Sequence, residues 1–339
     1  METRHAVVAG DARRLPLPDD AVELVVTSPP YPMVEMWDEA FGATASGARA
    51  ALDDGDGEAA FAAMHDALDE AWAEVARVLV PGGVACVVVG DAARTLDRFR
   101  LYRNRDRVGA AFEALGFDPL PDVVWRKPAN SAATFMGSGM LPPNAYVTLE
   151  HESVLVFRNG ARRSFDPGAE RRYEAAYFWE ERNRWFSDVW TDVRGVAQGG
   201  AAGPRERTAA YPFAVPYRLV NMYSVYGDRV LDPFWGTGTT TLAAMTAARD
   251  SVGVERHPDL VAGFAGRVGE VTRLSREVTA GRLADHAEFV AGRDDHAYEM
   301  VNYDLPVRTK QERRIQLYEA DSVQPVAGGY TVRHAPAAP

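Results

Sequence analysis

The 339-residue chain has one cysteine, Cys86, two lysines, Lys127 and Lys310, and no apolar run longer than residues 84–89 (VACVVV). A single cysteine excludes an internal disulfide and any multi-thiolate metal site. The apolar run is far shorter than the ~20 residues a helix needs to cross a bilayer. The first residues, METRHAVVAGD, place no cationic stretch ahead of an apolar core. No secretory signal is therefore expected, and the expected location is cytoplasmic. Positive charge is scarce as well. Lys+Arg number 37 against 48 Asp+Glu, a net charge of −11. That balance excludes a chain-wide basic surface but leaves local basic patches open. Acidic, lysine-poor and alanine-rich composition has two readings, a GC-rich genome or adaptation to a salty cytoplasm, and the residues do not choose between them. What is present, 47% hydrophobic and 25% charged residues, describes a globular chain of one large or two coupled units.

Along the chain, short β-branched runs alternate with helical spacing. Residues 5–9, 22–26, 84–89, 122–125, 151–158, 229–231 and 251–255 read as strands. Helices are expected over 61–79, where Phe61, Met64, Leu68, Trp72, Val75 and Leu79 recur at helical spacing, and over 108–115, 215–226, 239–248 and 260–282. Pro81-Gly82-Gly83 should stop the first of these. The small, acidic segment 42–57 reads as mobile surface chain, 126–144 as a loop, 158–194 as irregular, and 328–339 as a loose tail. The alternation predicts an α/β fold, a mostly parallel, doubly wound sheet with helices on both faces.

Two segments carry chemistry. Residues 230–240 (VLDPFWGTGTT) read as an apolar strand, a turn with two glycines and a helix start. Gly236 and Gly238 would let backbone crowd a ligand, and Thr239 or Thr240 would cap the helix. A second strand then ends in Glu255, an acidic group placed to hold a ribose diol. The spacing is G-x-G-T-T, not the dinucleotide G-x-G-x-x-G, and alone such a loop is as often a plain turn. The other segment, Thr27-Ser28-Pro29-Pro30-Tyr31, leaves the carboxyl end of a strand. By itself it is a proline turn. Chemically, it offers what methylation of an exocyclic amino group needs. Such a nitrogen has its lone pair delocalised into the ring, and acceptors for its N–H bonds free it. The Ser28 hydroxyl and Pro29 carbonyl would be those acceptors, preorganised by the prolines, with Tyr31 stacking on the base.

Together these residues resemble the S-adenosylmethionine-dependent DNA amino-methyltransferases of the permuted beta class. In that class S/D/N-P-P-Y/F precedes D-P-F-x-G-x-G-T-T, as Ser28–Tyr31 precedes Asp232–Thr240 here. Gly10-Asp11, Val124-Trp125-Arg126-Lys127-Pro128, the strand HESVLVF at 151–157 and YPFAVP at 211–216 are similar to further family segments, with Tyr211 where histidine is commoner. The resemblance spans about residues 5–270. It implies a Rossmann-like methyltransferase fold in circularly permuted motif order, with a catalytic half at 1–158, a target-recognition insertion at 159–210, a cofactor half at 211–282 and an extension at 283–339. It implies Ser28, Pro29, Pro30 and Tyr31 as catalytic. Asp11, Asp232, Pro233, Phe234, Gly236, Gly238, Thr239, Thr240 and Glu255 are implied as cofactor-binding, and no metal is expected.

Serine before Pro-Pro-Tyr is usual in N4-cytosine members, and aspartate or asparagine in N6-adenine members. C5-cytosine chemistry is excluded, since it needs a cysteine after proline and Cys86 follows Ala85. The segment 158–194 interleaves eight arginines with aromatics. Lys127, Arg162, Arg163, Arg171, Arg172, Arg182 and Arg184 are the expected contacts to double-stranded DNA, although seven acidic residues there equally suit a salt-bridged surface. His286 and His296 read as ordinary histidines. The extension, with Asn302-Tyr303 and Val307-x-Thr309-x-Gln311-Glu312, is similar to one in CTAG-modifying enzymes of salt-loving archaea. A homodimer and a restriction endonuclease counterpart stay open as partners. Methylation of glutamine or RNA is disfavoured by motif order, and a catalytically silent DNA-binding relative by the two intact loops.

Overall fold

The computed structural model describes residues 1–127, 136–194, 211–293 and 296–338. Strands β1 (Glu2–Ala9), β2 (Val22–Thr27) and β3 (Leu79–Val89) come first, and a ribbon, β4 (Ala92–Thr95) and β5 (Phe99–Tyr102), follows. Next are β6 (Asp118–Arg126), the hairpin β7 (Met136–Gly137) and β8 (Ala145–Tyr146), β9 (His151–Arg158) and β10 (Val189–Trp190). Then come β11 (Arg229–Asp232), β12 (Asp250–Glu255), a small ladder of β13 (Tyr298–Glu299) and β14 (Pro306–Val307), and finally β15 (Tyr318–Val326) and β16 (Gly329–Pro336). Ten of these form one sheet, in the order β10-β6-β9-β3-β2-β11-β12-β1-β16-β15. Its centre, from β3 to β1, is parallel, so the carboxyl ends of β2, β11, β12 and β1 share one edge. β9 runs the other way, antiparallel to β3 and β6.

Helices α1 (Asp38–Gly42), α2 (Ala48–Asp53) and α3 (Gly57–Val78) connect β2 to β3, and α4 (Asn104–Ala114) precedes β6. Between β9 and β10 lie α5 (Glu170–Glu174) and α6 (Trp179–Trp185); α7 (Ala214–Tyr223) precedes β11 and α8 (Thr239–Thr246) follows it. After β12 come α9 (Pro258–Gly263), α10 (Ala265–Val268) and α11 (Val271–Ala291). Successive strand residues point to opposite faces, and each face has its own core. Val25, Ala85, Val87 and Leu155 pack with Trp72 of α3 and Phe112 of α4. Leu24, Val26, Cys86 and Val88 pack with Leu219 of α7 and Ala243 of α8. Cover on both faces explains why β2 and β3 read as nearly unbroken apolar runs. The start of α3 is fixed by Asp56, whose carboxylate accepts the Ala59 N–H at 3.0 Å.

Three expectations are corrected. The 42–57 segment is not loose surface: it contains α2, and Ala45 and Ala48 are buried in the core. The helix expected over 260–282 is broken into α9, α10 and α11, in a stretch holding Gly263, Gly266 and Gly269, poor helix formers. The tail is ordered. β16 lies between β1 and β15, with Val332 and His334 buried. Gly329 is required there, because a Cβ would sit 1.9 Å from the His5 carbonyl oxygen. Among the described residues, no helix is long and apolar enough to cross a membrane.

Candidate active site

Parallel strands open their carboxyl ends onto a crevice, the usual place for ligands in such sheets. Here β2 delivers Ser28, β11 Asp232, β12 Glu255 and β1 Asp11 to a cavity of about 450 Å³. β1 lies far from β12 in sequence but beside it in space, and the Gly10 N–H donates to the Glu255 carbonyl at 2.8 Å. Pro30, Pro233, Phe234, Gly236 and Thr239 also line the cavity. Pro29, Tyr31, Gly238 and Thr240 do not. Trp37 and Phe41, together with Thr44 from the segment expected to be mobile, form part of the wall.

Hydrogen bonding sets the polarity of Ser28. The Tyr31 hydroxyl donates to Glu152 Oε2 at 3.1 Å and lies 2.9 Å from Ser28 Oγ. Tyr31 has one proton, and the carboxylate takes it, so Ser28 donates to the tyrosine oxygen. The lone pairs of Ser28 are thereby left as acceptors. Burial, reinforced by the Glu152 charge, pushes the phenol of Tyr31 well above its ordinary value and keeps it protonated. Lys127 forms an ion pair with the other oxygen of Glu152, and its Nζ lies 4.7 Å from the Trp125 ring. Asn104, at the start of α4, donates to the carbonyls of Pro32 (3.0 Å) and Gly90 (2.9 Å) and braces the loop. Glu152 and Asn104 were not anticipated as site residues; the motif at 151–157 contained the first, and nothing local marks the second.

Asp232 is committed to the protein itself. It accepts the Thr27 hydroxyl at 2.6 Å, the Thr240 hydroxyl at 2.7 Å, the Phe234 N–H at 3.2 Å and the Tyr211 hydroxyl at 3.3 Å. It thus staples the end of β2 to the glycine loop, and Tyr211 joins the network. Burial pushes its carboxyl up to about 6. Only the ionised form can accept from every donor, so activity should rise with pH through about 6, and Asp232→Asn should remove that limb from the kcat profile. The effect on stability has the opposite sign. A folded-state pKa above the unfolded value contributes stability at low pH that is lost as pH rises through about 6.

The glycine loop is organised by Glu255 and Trp235. Glu255 accepts the Gly236 N–H at 2.8 Å and the His257 N–H at 2.9 Å, and it keeps further lone pairs at the cavity wall. Gly236 adopts φ +55°, and a Cβ there would meet nothing closer than 3.9 Å. Gly238 is different from expectation. It has φ +78°, and its missing Cβ would fall 2.6–2.7 Å from the Phe264 and Trp235 rings, so it serves packing within the protein. At the rim, Arg13 meets Asp11 at 2.8 Å and holds its carboxyl below the usual range.

The sequence pattern of the DNA methylase family that includes N6 and N4 enzymes matches residues 22–265. The chain belongs to the N6/N4 DNA methylase family. This methylase is 47% identical over 324 residues to the type II methyltransferase M.MthZI of Methanothermobacter thermautotrophicus, covering 94% of this chain and 91% of that one. It is 46% identical to the type II methyltransferase M.MjaI of Methanocaldococcus jannaschii, over 75% of this chain and 87% of that one. Among solved structures it is similar to the Thermus thermophilus protein TTHA0409 complexed with S-adenosyl-L-methionine: 32% identity, TM-score 0.61, covering 79% of this chain and 94% of that one. It shares its fold with the cytosine-N4-specific PvuII DNA methyltransferase: 18% identity, TM-score 0.57, covering 82% and 94% of the respective chains.

The methylase uses S-adenosylmethionine, and the cavity residues fit it. Glu255 offers carboxylate lone pairs for a ribose diol, and Leu68, Ala71 and Leu260 give an apolar wall. The Thr237 hydroxyl, at the same wall, is buried without a partner, a polar atom that a ligand would satisfy.

The expected DNA contacts do not gather at this edge. β9 ends at Arg158 opposite Val84, so the insertion leaves from the amino ends of the parallel strands. Arg163 pairs with buried Asp228, just before β11, at 2.7 Å. Arg163, Arg171 and Arg172 surround the Phe165 ring at 5.0–6.0 Å. With Arg162 beside them in sequence, these four lie on the side away from Ser28. Arg182 sits over Phe186 and Arg184 pairs with Asp285, both on α6, which Glu181 ties to Arg282 of α11 at 2.6 Å. Lys127 is at the catalytic edge but holds Glu152. Pro128 and residues 195–210 of the insertion lie outside the described residues. Cys86 is fully buried and its thiol pushed up, unsuited to nucleophilic attack. His286 bonds to Glu180 at 2.9 Å, and no metal-holding cluster occurs among the described residues.

Proposed function

We propose that the methylase transfers the methyl group to the N4 amino group of a cytosine flipped out of duplex DNA. The observation that carries this reading is the Ser28–Tyr31–Glu152 chain, which leaves Ser28 as an acceptor at the cavity. Bound S-adenosylmethionine supplies an electrophilic methyl group on a sulfonium. The Ser28 hydroxyl and Pro29 carbonyl accept the amino N–H bonds and free the nitrogen lone pair; the methylated nitrogen is cationic and its acidic proton leaves to water, so neither a covalent intermediate nor a strong base is needed. The target must leave the helix, because pairing hides its amino group. Tyr31 acts by orienting Ser28, in addition to any contact with the base. Serine at position 28 favours N4-cytosine over N6-adenine, and the likeness of the extension to CTAG-modifying enzymes supports a short palindromic target. The division into catalytic half, insertion, cofactor half and extension, in permuted order, belongs to this reading. So do a homodimer and a restriction endonuclease counterpart. Within the insertion, β10 runs parallel to β6 and returns the chain to the catalytic edge, which supports target recognition by its last part.

Glu152→Gln tests the acceptor assignment. An amide can donate to the tyrosine oxygen, which turns the Tyr31 proton toward Ser28, occupies one of the two serine lone pairs and turns the serine proton toward the cavity. The single-turnover rate should fall ~10–100-fold, the range for a hydrogen bond to a charged group, with cofactor affinity unchanged. An unchanged rate would remove Glu152 from the account, and the methylated nucleoside itself, N4-methylcytosine or N6-methyladenine, tests the reading as a whole.

A further inference from the structure

A flipped base can reach Ser28 only if the duplex lies across the edge where the parallel strands end. Whatever projects from that edge beside Ser28 must therefore meet DNA. Two elements do. The β4–β5 ribbon follows the carboxyl end of β3, and the β7–β8 hairpin lies in the connection from β6 to β9, where Trp125 and Arg126 pair with Glu152 and His151. Each leads directly into an element that holds the Ser28 loop: the ribbon into α4, whose Asn104 bonds to the Pro32 carbonyl, and the hairpin into β9, whose Glu152 accepts from Tyr31.

Their surfaces are unlike the rest of the chain. Met140 and Val147 are each 84% exposed and Leu141 69%, while Tyr146 stacks on exposed Phe99 of the ribbon at 4.6 Å. Soluble surfaces rarely gather large apolar side chains without a partner. Residues 136–149 (MGSGMLPPNAYVTL) contain no Asp or Glu, in a chain carrying 48. A polyanion thus meets no repulsion along residues 136–149; exposed Arg98 lies in the β4–β5 turn, while exposed Arg103, Arg105 and Arg126 pair with Asp106, Asp122 and Glu150, exposed ion pairs that phosphates can compete for. A narrow apolar tip with arginines at its base suits a groove and a base step better than a flat protein surface, as with the wedges of proteins that unstack DNA.

We infer that the β7–β8 hairpin, seated on the Phe99–Tyr146 stack, is a wedge that enters duplex DNA beside the target and helps extrude the base. The inference rests on duplex DNA being the substrate. It assigns the opening of the helix to residues 140–147, which no motif marks, rather than to the arginines around Phe165.

The test compares wild type with the Met140→Asp/Leu141→Asp double variant on a duplex bearing a fluorescent base analogue at the target, and on the corresponding single strand. A wedge predicts at least a tenfold loss of the flipping signal and of the duplex methylation rate. The single-strand rate, where nothing must be opened, should stay within twofold, as should cofactor affinity. Val301→Asp, at another exposed apolar residue (66%), should change neither rate. Equal losses on both substrates, or no loss on duplex, would overturn the wedge. A dimer that dissociates in the variant while flipping persists would assign the patch to a second copy of the chain instead. If wild type methylates neither substrate, the proposed function itself falls.

Discussion

Ser28→Ala should lower the single-turnover rate of methyl transfer by roughly 10²–10³, with cofactor affinity nearly unchanged. Removing one preorganised acceptor of charge developing in the transition state typically costs ~2.7–4 kcal/mol. An interaction made mainly in the transition state lowers kcat without altering ground-state binding. The hydroxyl is held for that purpose. Its own proton is committed to Tyr31 at 2.9 Å, whose proton goes to Glu152. The fold should tolerate the change, because the loop is fixed by Pro29, Pro30 and the Asn104 bonds to Pro32 and Gly90. Rapid-quench kinetics beside calorimetric titration of the cofactor would separate the two quantities. A parental rate would reduce Ser28 to a loop residue.

The second large effect is expected at Gly253, in the middle of β12. A Cβ there would lie 2.1 Å from Cδ1, 2.4 Å from Nε1 and 2.6 Å from Cγ of Trp235, against a rigid ring and not a flexible chain end. That ring cannot swing aside freely. Its N–H donates to Thr241 at 2.7 Å, and it packs edge-on against Phe264 at 4.8 Å. Gly253→Val must therefore displace the loop from Trp235 to Thr239, of which Trp235, Gly236, Thr237 and Thr239 line the cofactor cavity. Overpacking of this kind costs about 1–3 kcal/mol and sometimes more. Calorimetry should detect no cofactor binding, and the melting temperature should drop by several degrees. Adding Trp235→Leu should recover part of the stability, since the pair is coupled through a contact. Cofactor binding at parental affinity in Gly253→Val would show that the Trp235 loop is not rigidly placed by β12.

These two residues differ in how far they are legible. Ser28 and Glu255 stand at the ends of apolar β-branched runs, and strand ends in a parallel sheet face the crevice, so their role could be read locally. Gly253 could not, because nothing in SVGVE says that a tryptophan eighteen residues earlier lies across it. The same holds for β1 and β16. Their pairing joins the two ends of the chain, and the buried bonds of Thr3 to His5 and His334 are visible only once the strands are adjacent. The arginines of 158–194 show the limit most clearly. Their composition suited nucleic acid, but the direction of β9 decides which edge the insertion leaves from, and direction is a property of the sheet. Segment 42–57 looks like loop because its residues are small. Ala45 and Ala48 are small because they are buried against the core.

The modified nucleoside identifies the reaction. Purified protein, labelled S-adenosylmethionine and unmethylated duplex DNA, followed by enzymatic hydrolysis and mass-resolved chromatography, identify the modified nucleoside. Label should appear in N4-methylcytosine alone and be lost with Ser28→Ala. Label in N6-methyladenine would show that the target is adenine and that the Ser28 assignment to cytosine is wrong.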